Sequence, residues 1–224
     1  AAVAGLSGVK SQNDTSVAVY LGNPNAHTIA GGLYAPHLVR ALQTRHVFSA
    51  STLDQMPKQV ACGYLYGNPF AFTVPDIDRT DHLVVIGANP LVSNGSVATT
   101  ADFPGKLRAL RRRGGRLTVI DPNRTRTAAA ADRHLAPRPG TDGALLFAVV
   151  NVLFDEDLVN LGSLNDHVTG MERLRAAALD FPPDAVAQHC GVAAEDIREL
   201  ARDIAAGPTA VYGRIGTSTV RFGT

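Results

Sequence analysis

The sequence predicts an α/β protein centred on a doubly wound, mostly parallel sheet with helices on both faces. Three observations predict it. An apolar run, His82-Leu-Val-Val-Ile-Gly87, ends in the turn signal Ala88-Asn89-Pro90. After a helical segment, Leu117-Thr-Val-Ile-Asp121 repeats the pattern and ends at Pro122-Asn123. Pro139-Gly-Thr-Asp142 then opens a long apolar helix. Short apolar strands that alternate with helices make βαβ units of a parallel sheet. Ligands of such sheets sit beyond the carboxyl ends of the strands.

In chain order, residues 1–16 read as the polar, Gly/Ser-rich tail of a preceding segment. Val17-Ala-Val-Tyr-Leu21 is a buried-strand candidate followed by Gly22-Asn-Pro24. Ile29, Leu33, Leu38 and Leu42 have roughly helical spacing over His27–Leu42, interrupted at Pro36. Residues 47–58 read as a loop leading into a helix around Gln59–Tyr66, which Gly67-Asn-Pro69 breaks. The first unit comprises a strand at 82–87, a loop at 88–96, a helix at about 103–113 and a strand at 117–121. Leu107 and Leu110 should face the sheet while Arg108, Arg111, Arg112 and Arg113 stay wet, and Gly114-Gly115 supplies the stop. A short Ala-rich helix at 127–131 and a small strand at Leu135-Ala136 follow, and Asp142 is a natural N-cap for the helix 143–154. Ile197, Leu200, Ala201 and Ile204 share one face of a helix at 193–206, and Thr209-Ala-Val-Tyr212 is the last strand.

Composition narrows the function class. With 224 residues, 45% of them hydrophobic, the chain can bury the core of one large domain or one and a fraction. A net charge of +1 gives no reason to expect nucleic acid or a membrane surface. Cys62 and Cys190 lie far apart without ligand spacing; a disulfide framework is excluded, and the usage suits a reducing, cytoplasmic setting. The histidines form no ligand spacing, and no apolar run reaches membrane-spanning length. The chain opens without an initiator Met and stops at Arg221-Phe-Gly-Thr224, just after a strand-and-loop signal. It therefore reads as an excised piece of a longer polypeptide, and the lack of a signal peptide says little about location.

Five stretches together resemble one known family: Leu21-Gly-Asn-Pro24; Ile86-Gly-Ala-Asn-Pro90; Val119-Ile-Asp-Pro122 with Thr127-Ala128; Pro139-Gly-Thr-Asp142-Gly-Ala-Leu145; and Tyr212-Gly-Arg-Ile-Gly216. Their order and spacing are similar to the molybdopterin oxidoreductases, the dimethyl sulfoxide reductase family of molybdenum and tungsten enzymes. The resemblance covers essentially the whole chain and would make it the second quarter or so of such an enzyme. It implies an iron–sulfur cluster in an amino-terminal segment absent here, and a pterin-binding domain beyond the carboxyl end.

The resemblance also implies roles. One guanosine end of a molybdopterin guanine dinucleotide would lie over this Rossmann-like domain. Gly87 and Asn89 would approach its phosphates or sugar, Asp121 would accept from ribose hydroxyls, and Asp142 from the guanine edge. A carboxylate is an acceptor-only group suited to a diol or to guanine N–H donors. Gly140 opens the Asp142 turn, and Gly213 and Gly216 would let the last strand pass close to the cofactor. Arg124 could meet a pyrophosphate, or be solvated. The family's side-chain metal ligand falls, by position, in Ser51-Thr-Leu-Asp54-Gln-Met-Pro57, with Asp54 first and Cys62 second. A carboxylate suits a hard, high-valent metal. Plain structural roles stay open beside these: Asp142 as a cap, Asp121 as a turn former, Asp54 as the cap of the next helix. Two departures stand out. Gln55 follows Asp54 where formate dehydrogenases carry His, and Val220 stands where a polar residue is expected.

The expected organisation is a Rossmann-like cofactor-binding domain at 49–208, with 1–48 and 209–224 belonging to a neighbouring domain. Expected partners are the remaining domains of the parent and an unidentified electron-transfer partner, with no nucleic acid and no membrane contact by this segment. The function read from the resemblance is that of a fragment, inactive alone, of a formate dehydrogenase or nitrate reductase-like enzyme. The alternatives are a cofactor-free structural relative, such as a large subunit of respiratory complex I, and an unrelated nucleotide-binding module. No Gly-x-Gly-x-x-Gly follows the first strand, which disfavours a standard nicotinamide-dinucleotide domain.

Overall fold

The structure, a computed structural model, describes all residues except 13–14, 23–24, 26–27, 96–99, 222 and 224. Asn23 and Pro24 of the first motif, His27, and Ser96 at the end of the loop after the first core strand therefore lie outside the described residues. The chain divides into two units, Ala1–Pro57 and Lys58–Thr224.

The first unit begins with α1 (Ala2–Gln12), where the sequence reads as a polar tail. Strand β1 (Val19–Leu21), helix α2 (Ile29–Leu42), strand β2 (Val47–Ser49) and the single turn α3 (Ser51–Asp54) follow. Thr28 caps α2 by accepting from the Gly31 amide, and Pro36 sits inside the helix without ending it. The two strands pair in parallel, Val19 opposite Val47. The expected buried strand is corrected here: Tyr20 is 68% exposed, because β1 and β2 form a two-stranded sheet and α2 buries none of its residues.

The unit boundary falls in the first turn of α4 (Met56–Tyr66). The second unit continues with β3 (His82–Ile86), α5 (Pro90–Ser93), α6 (Phe103–Arg112), β4 (Arg116–Ile120), α7 (Arg126–Ala129) and β5 (Arg133–Leu135). It closes with α8 (Asp142–Asp155), α9 (Met171–Ala178), α10 (Pro183–Cys190), α11 (Ala194–Ala205), β6 (Thr209–Gly213) and α12 (Ile215–Ser218). The sheet order is β5-β4-β3-β6, and every pairing is parallel.

Side-chain alternation sends β3 and β4 to two cores. Leu83, Val85, Leu117 and Val119 pack with Phe103, Leu107 and Leu110 of α6. Val84, Ile86 and Ile120 pack with Leu145 and Val149 of α8 and with Ile197 and Leu200 of α11. A strand buried on both faces reads as a continuous apolar run, which is why β3 is fully buried. The arginines of α6 are exposed as expected, but Arg113 also donates to the carbonyl oxygen of Thr80. Gly114, φ +84°, follows the end of the helix, and a Cβ on Gly115 would meet Leu110 Cδ1 at 2.3 Å.

Two further corrections concern boundaries. Strand β6 was expected to return to a neighbouring domain, yet it runs beside β3 with Ala210 opposite Leu83. Its backbone extends the sheet at the open edge of β3, which a strand ending there would otherwise leave unpaired. The residue before α8 is Thr141 rather than Asp142, so Asp142 occupies the first helical position.

At the far end of the sheet His82 is buried, its Nε2 hydrogen-bonded with Thr118 Oγ1 at 2.8 Å. Its Nδ1 is buried without a partner among the described residues. Burial lowers its pKa, Arg116 lowers it further, and Asp203 partly opposes them. The neutral ring's contribution is therefore present above the ordinary histidine pKa and lost as pH falls through it toward the lowered folded value. Chemical denaturation at pH 7 and pH 5 should show an acid loss of stability that His82→Gln flattens. Equal pH slopes for the two proteins would refute this.

Candidate functional site

The chain runs outward from β3 through β4 to β5, then returns through α8–α11 to place β6 on the other side of β3. Strand order reverses at β3, and a ligand crevice is expected beyond the carboxyl ends at such a point. A cleft of about 600 Å³ opens there. Gly87 follows β3, Asp121 follows β4 and Arg214 follows β6, and all three line it. Asn89, Gly140, Asp142 and Gly216 line it as well. Residues named from sequence on four separate elements thus converge on one space.

The floor is backbone against backbone. Gly87 has φ +57°, and a Cβ there would lie 2.8 Å from Gly216 Cα. Reciprocally, a Cβ on Gly216 would lie 2.7 Å from Gly87 Cα. The Gly216 amide donates to the Gly87 carbonyl at 3.0 Å, and the Arg214 amide to that of Ile86 at 3.1 Å. These two glycines are required by each other before any ligand arrives.

Each polar residue is held by its own local device. Asn89 Oδ1 accepts from Thr127 Oγ1 at 2.7 Å, tying the end of β3 to the buried start of α7. Asp121 accepts from the Asn123 amide at 2.8 Å, an Asx-type turn, while its carbonyl oxygen meets His134 Nε2. The turn-forming reading of Asp121 is therefore real and coexists with its place in the cleft. Asp142 is 6% exposed, and burial raises its pKa above the ordinary carboxylate range. Its own backbone amide opposes that shift, whereas the Asp121 charge adds to it.

Other expected residues fall differently. Arg124 is exposed and is not among the residues lining the cleft, since it lies in the turn before Thr125 caps α7; Arg214, unassigned from sequence, lines it. Gly213 ends β6 opposite Ile86 and stands one residue from the lining. Val220 is in the lining. Asp54 ends α3 in the first unit, half-buried beside a cavity of about 380 Å³ that Gly31, Gly32, Ser51 and Gln55 also line. Cys62 is buried within α4. Among the described residues no group of three or more His, Cys, Asp or Glu gathers in a metal-binding cluster, and no helix is long and apolar enough to cross a membrane.

Comparison with known proteins agrees with the fold. The chain is 27% identical over 163 residues to the F420-dependent formate dehydrogenase subunit alpha of Methanocaldococcus jannaschii, covering 72% of this chain and 23% of that protein. It is 37% identical over 144 residues to the dimethyl sulfoxide/trimethylamine N-oxide reductase of Cereibacter sphaeroides, covering 59% of this chain and 17% of that protein. The solved structure of acetylene hydratase from Pelobacter acetylenicus superposes with a TM-score of 0.72 and 25% identity over 95% of this chain and 28% of its own. The chain thus spans less than a third of each of these relatives. Residues 18–175 match the molybdopterin oxidoreductase family, and the chain belongs to that family.

Proposed function

We propose that this chain binds the guanosine end of a molybdopterin guanine dinucleotide, as one part of a molybdenum or tungsten oxidoreductase. The observation that supports this most is the pairing of Asp121 and Asp142 in a glycine-floored cleft at the strand-order reversal, where burial and the Asp121 charge both disfavour the Asp142 carboxylate. Leaving a carboxylate there is unfavourable unless a donor-rich ligand arrives. A relative that had lost its cofactor would keep it only for its place in the first turn of α8.

In this reading Asp142 accepts from the guanine N–H groups and Asp121 from the ribose hydroxyls. Gly87 and Gly216 keep the floor low enough for the sugar–phosphate to pass. Arg214, rather than Arg124, is the cation placed in the cleft for a phosphate. The metal–pterin, when bound, supplies two-electron redox or oxygen-atom transfer, and the protein supplies orientation and exclusion of water. Asp54 is the proposed protein ligand to the metal. The parent would be of the formate dehydrogenase or nitrate reductase kind and soluble in the cytoplasm, with an iron–sulfur cluster elsewhere in its chain. Gln55 beside Asp54 favours the second of these activities.

Calorimetric titration with GDP and with ADP tests the reading. GDP should bind, at millimolar affinity or better, and ADP at least about tenfold more weakly, because a carboxylate facing the adenine edge meets one amino donor beside an acceptor nitrogen, where guanine offers two paired donors. Equal affinities would sink the guanine assignment.

A further inference from the structure

Within the proposed guanosine site, Asp142 is only as useful as the turn that aims it, and that turn is held from one residue. Arg138 Nη1 donates to the carbonyl oxygens of Gln188 at 2.8 Å and His189 at 2.9 Å, and its backbone amide donates to that of Cys190 at 2.7 Å. These are the last carbonyls of α10, which have no partner within the helix and carry its negative dipole end. The helix stops there on Gly191, φ +80°, whose missing Cβ would lie 3.6 Å from Arg138 Cγ. From the same residue the chain turns back on itself. The Arg138 carbonyl oxygen accepts from Thr141 Oγ1 at 2.7 Å and from the Thr141 amide at 3.2 Å. Thr141 is buried, and Asp142 follows as the first residue of α8.

Among the described residues, the turn's own side chains add one further hydrogen bond to it, from the Thr141 hydroxyl. Gly140, φ +85°, has no atom within 4 Å of where a Cβ would stand, and Thr141 makes no side-chain cap to α8. His189, whose carbonyl Arg138 holds, lines a second groove of about 550 Å³ that Gly140 and Asp142 share. His189 of α10 and Asp142 of α8 therefore line one groove, and Arg138 bonds the end of the first to the turn that precedes the second.

We propose that Arg138 is a positioning residue for the cofactor site: by clamping the carbonyl end of α10 it fixes the Arg138–Thr141 turn and thereby the aim of the Asp142 carboxylate. The role rests on the guanosine reading for its purpose, but the geometry it controls is measurable without any nucleotide.

The test compares Arg138→Gln and Arg138→Lys with the unaltered chain. Arg138 is exposed, so neither variant should unfold, and melting should move by only a few degrees. In Arg138→Gln the Thr141 amide should exchange with solvent about tenfold faster, while core amides of β3 and β4 keep their rates. Carbon-13 NMR should show the Asp142 carboxyl titrating closer to the ordinary carboxylate range, because a loosened turn admits water. GDP affinity should fall about tenfold with ADP affinity unchanged, and Arg138→Lys, which keeps the charge and can still donate to a carbonyl, should recover most of each effect. An unchanged Thr141 rate and an unchanged Asp142 titration in Arg138→Gln would overturn the proposal, as would a uniform rise in exchange throughout the unit. If the unaltered chain binds no GDP, the guanosine reading fails separately, and the exchange and titration results still decide the role of Arg138.

Discussion

Gly87→Ala is expected to destabilise the second unit by about 3 kcal/mol, lowering its melting temperature by roughly 10 °C, and to abolish nucleotide binding. Two costs combine. The φ of +57° is left-handed, which costs an L-residue roughly 1–2 kcal/mol. The added Cβ would also stand 2.8 Å from Gly216 Cα and 2.9 Å from the Thr217 amide nitrogen. Those are backbone atoms, which cannot swing aside as a flexible side chain can. Gly216→Ala separates the two costs. Its Cβ meets the Gly87 backbone at 2.7–2.8 Å, but no left-handed φ is involved, so it should be milder by about 1 kcal/mol. Thermal melts of the pair provide the check. A Gly87→Ala protein that melts with the unaltered chain would mean that the floor of the cleft is not built as described.

Sequence gave access to the strand ends more readily than to what braces them. Strands β3 and β4 are legible because burial on both faces leaves an unbroken apolar run, and a polar turn follows each run. Asp121, closing an apolar run, and Asp142, opening an apolar helix, are legible by position, although each has a local explanation as well and their binding roles come from the resemblance. The placement of β6 was not legible, since Thr209–Gly213 carries no mark of which sheet it joins and its edge position leaves Val211 50% exposed. Helix α10 left a readable signature that periodicity alone passes over, Pro182-Pro183 at its start and Gly191 just past its end. Helix α1 left none, because its residues are almost all exposed and no capping residue precedes it. The exposure of Tyr20 was hidden too, since an apolar run reports what could be buried and not whether a covering layer exists. The Gly87–Gly216 approach, the Asn89–Thr127 bond and the Arg138 clamp are contacts between residues distant in sequence, and no local pattern encodes them.

Asp142→Asn should separate binding from stability, moving the two in opposite directions. Burial, helped by the Asp121 charge, holds the Asp142 pKa above the ordinary carboxylate range. For an acid with a raised folded pKa the folded state binds the proton more tightly than the unfolded chain does. Stability from this group is therefore greatest below the unfolded pKa and declines as pH rises through the folded value, so at neutral pH the ionised carboxylate is a net cost. The isosteric amide removes that cost, and the variant should be as stable as the unaltered chain at pH 7 or more stable by roughly 0.5 kcal/mol. Guanine recognition goes the other way. The amide turns one acceptor into a donor facing the guanine N–H groups, and GDP affinity should drop about 100-fold, close to 3 kcal/mol. Because only the ionised form accepts two donors, GDP binding to the unaltered chain should also weaken as pH falls through the raised folded pKa, at a higher pH than an ordinary carboxylate would require. Paired melts and titrations between pH 4 and pH 7.5 measure both. A variant that loses stability at neutral pH, or one that keeps GDP affinity, would place Asp142 among the residues that build the start of α8, with no share in recognising guanine.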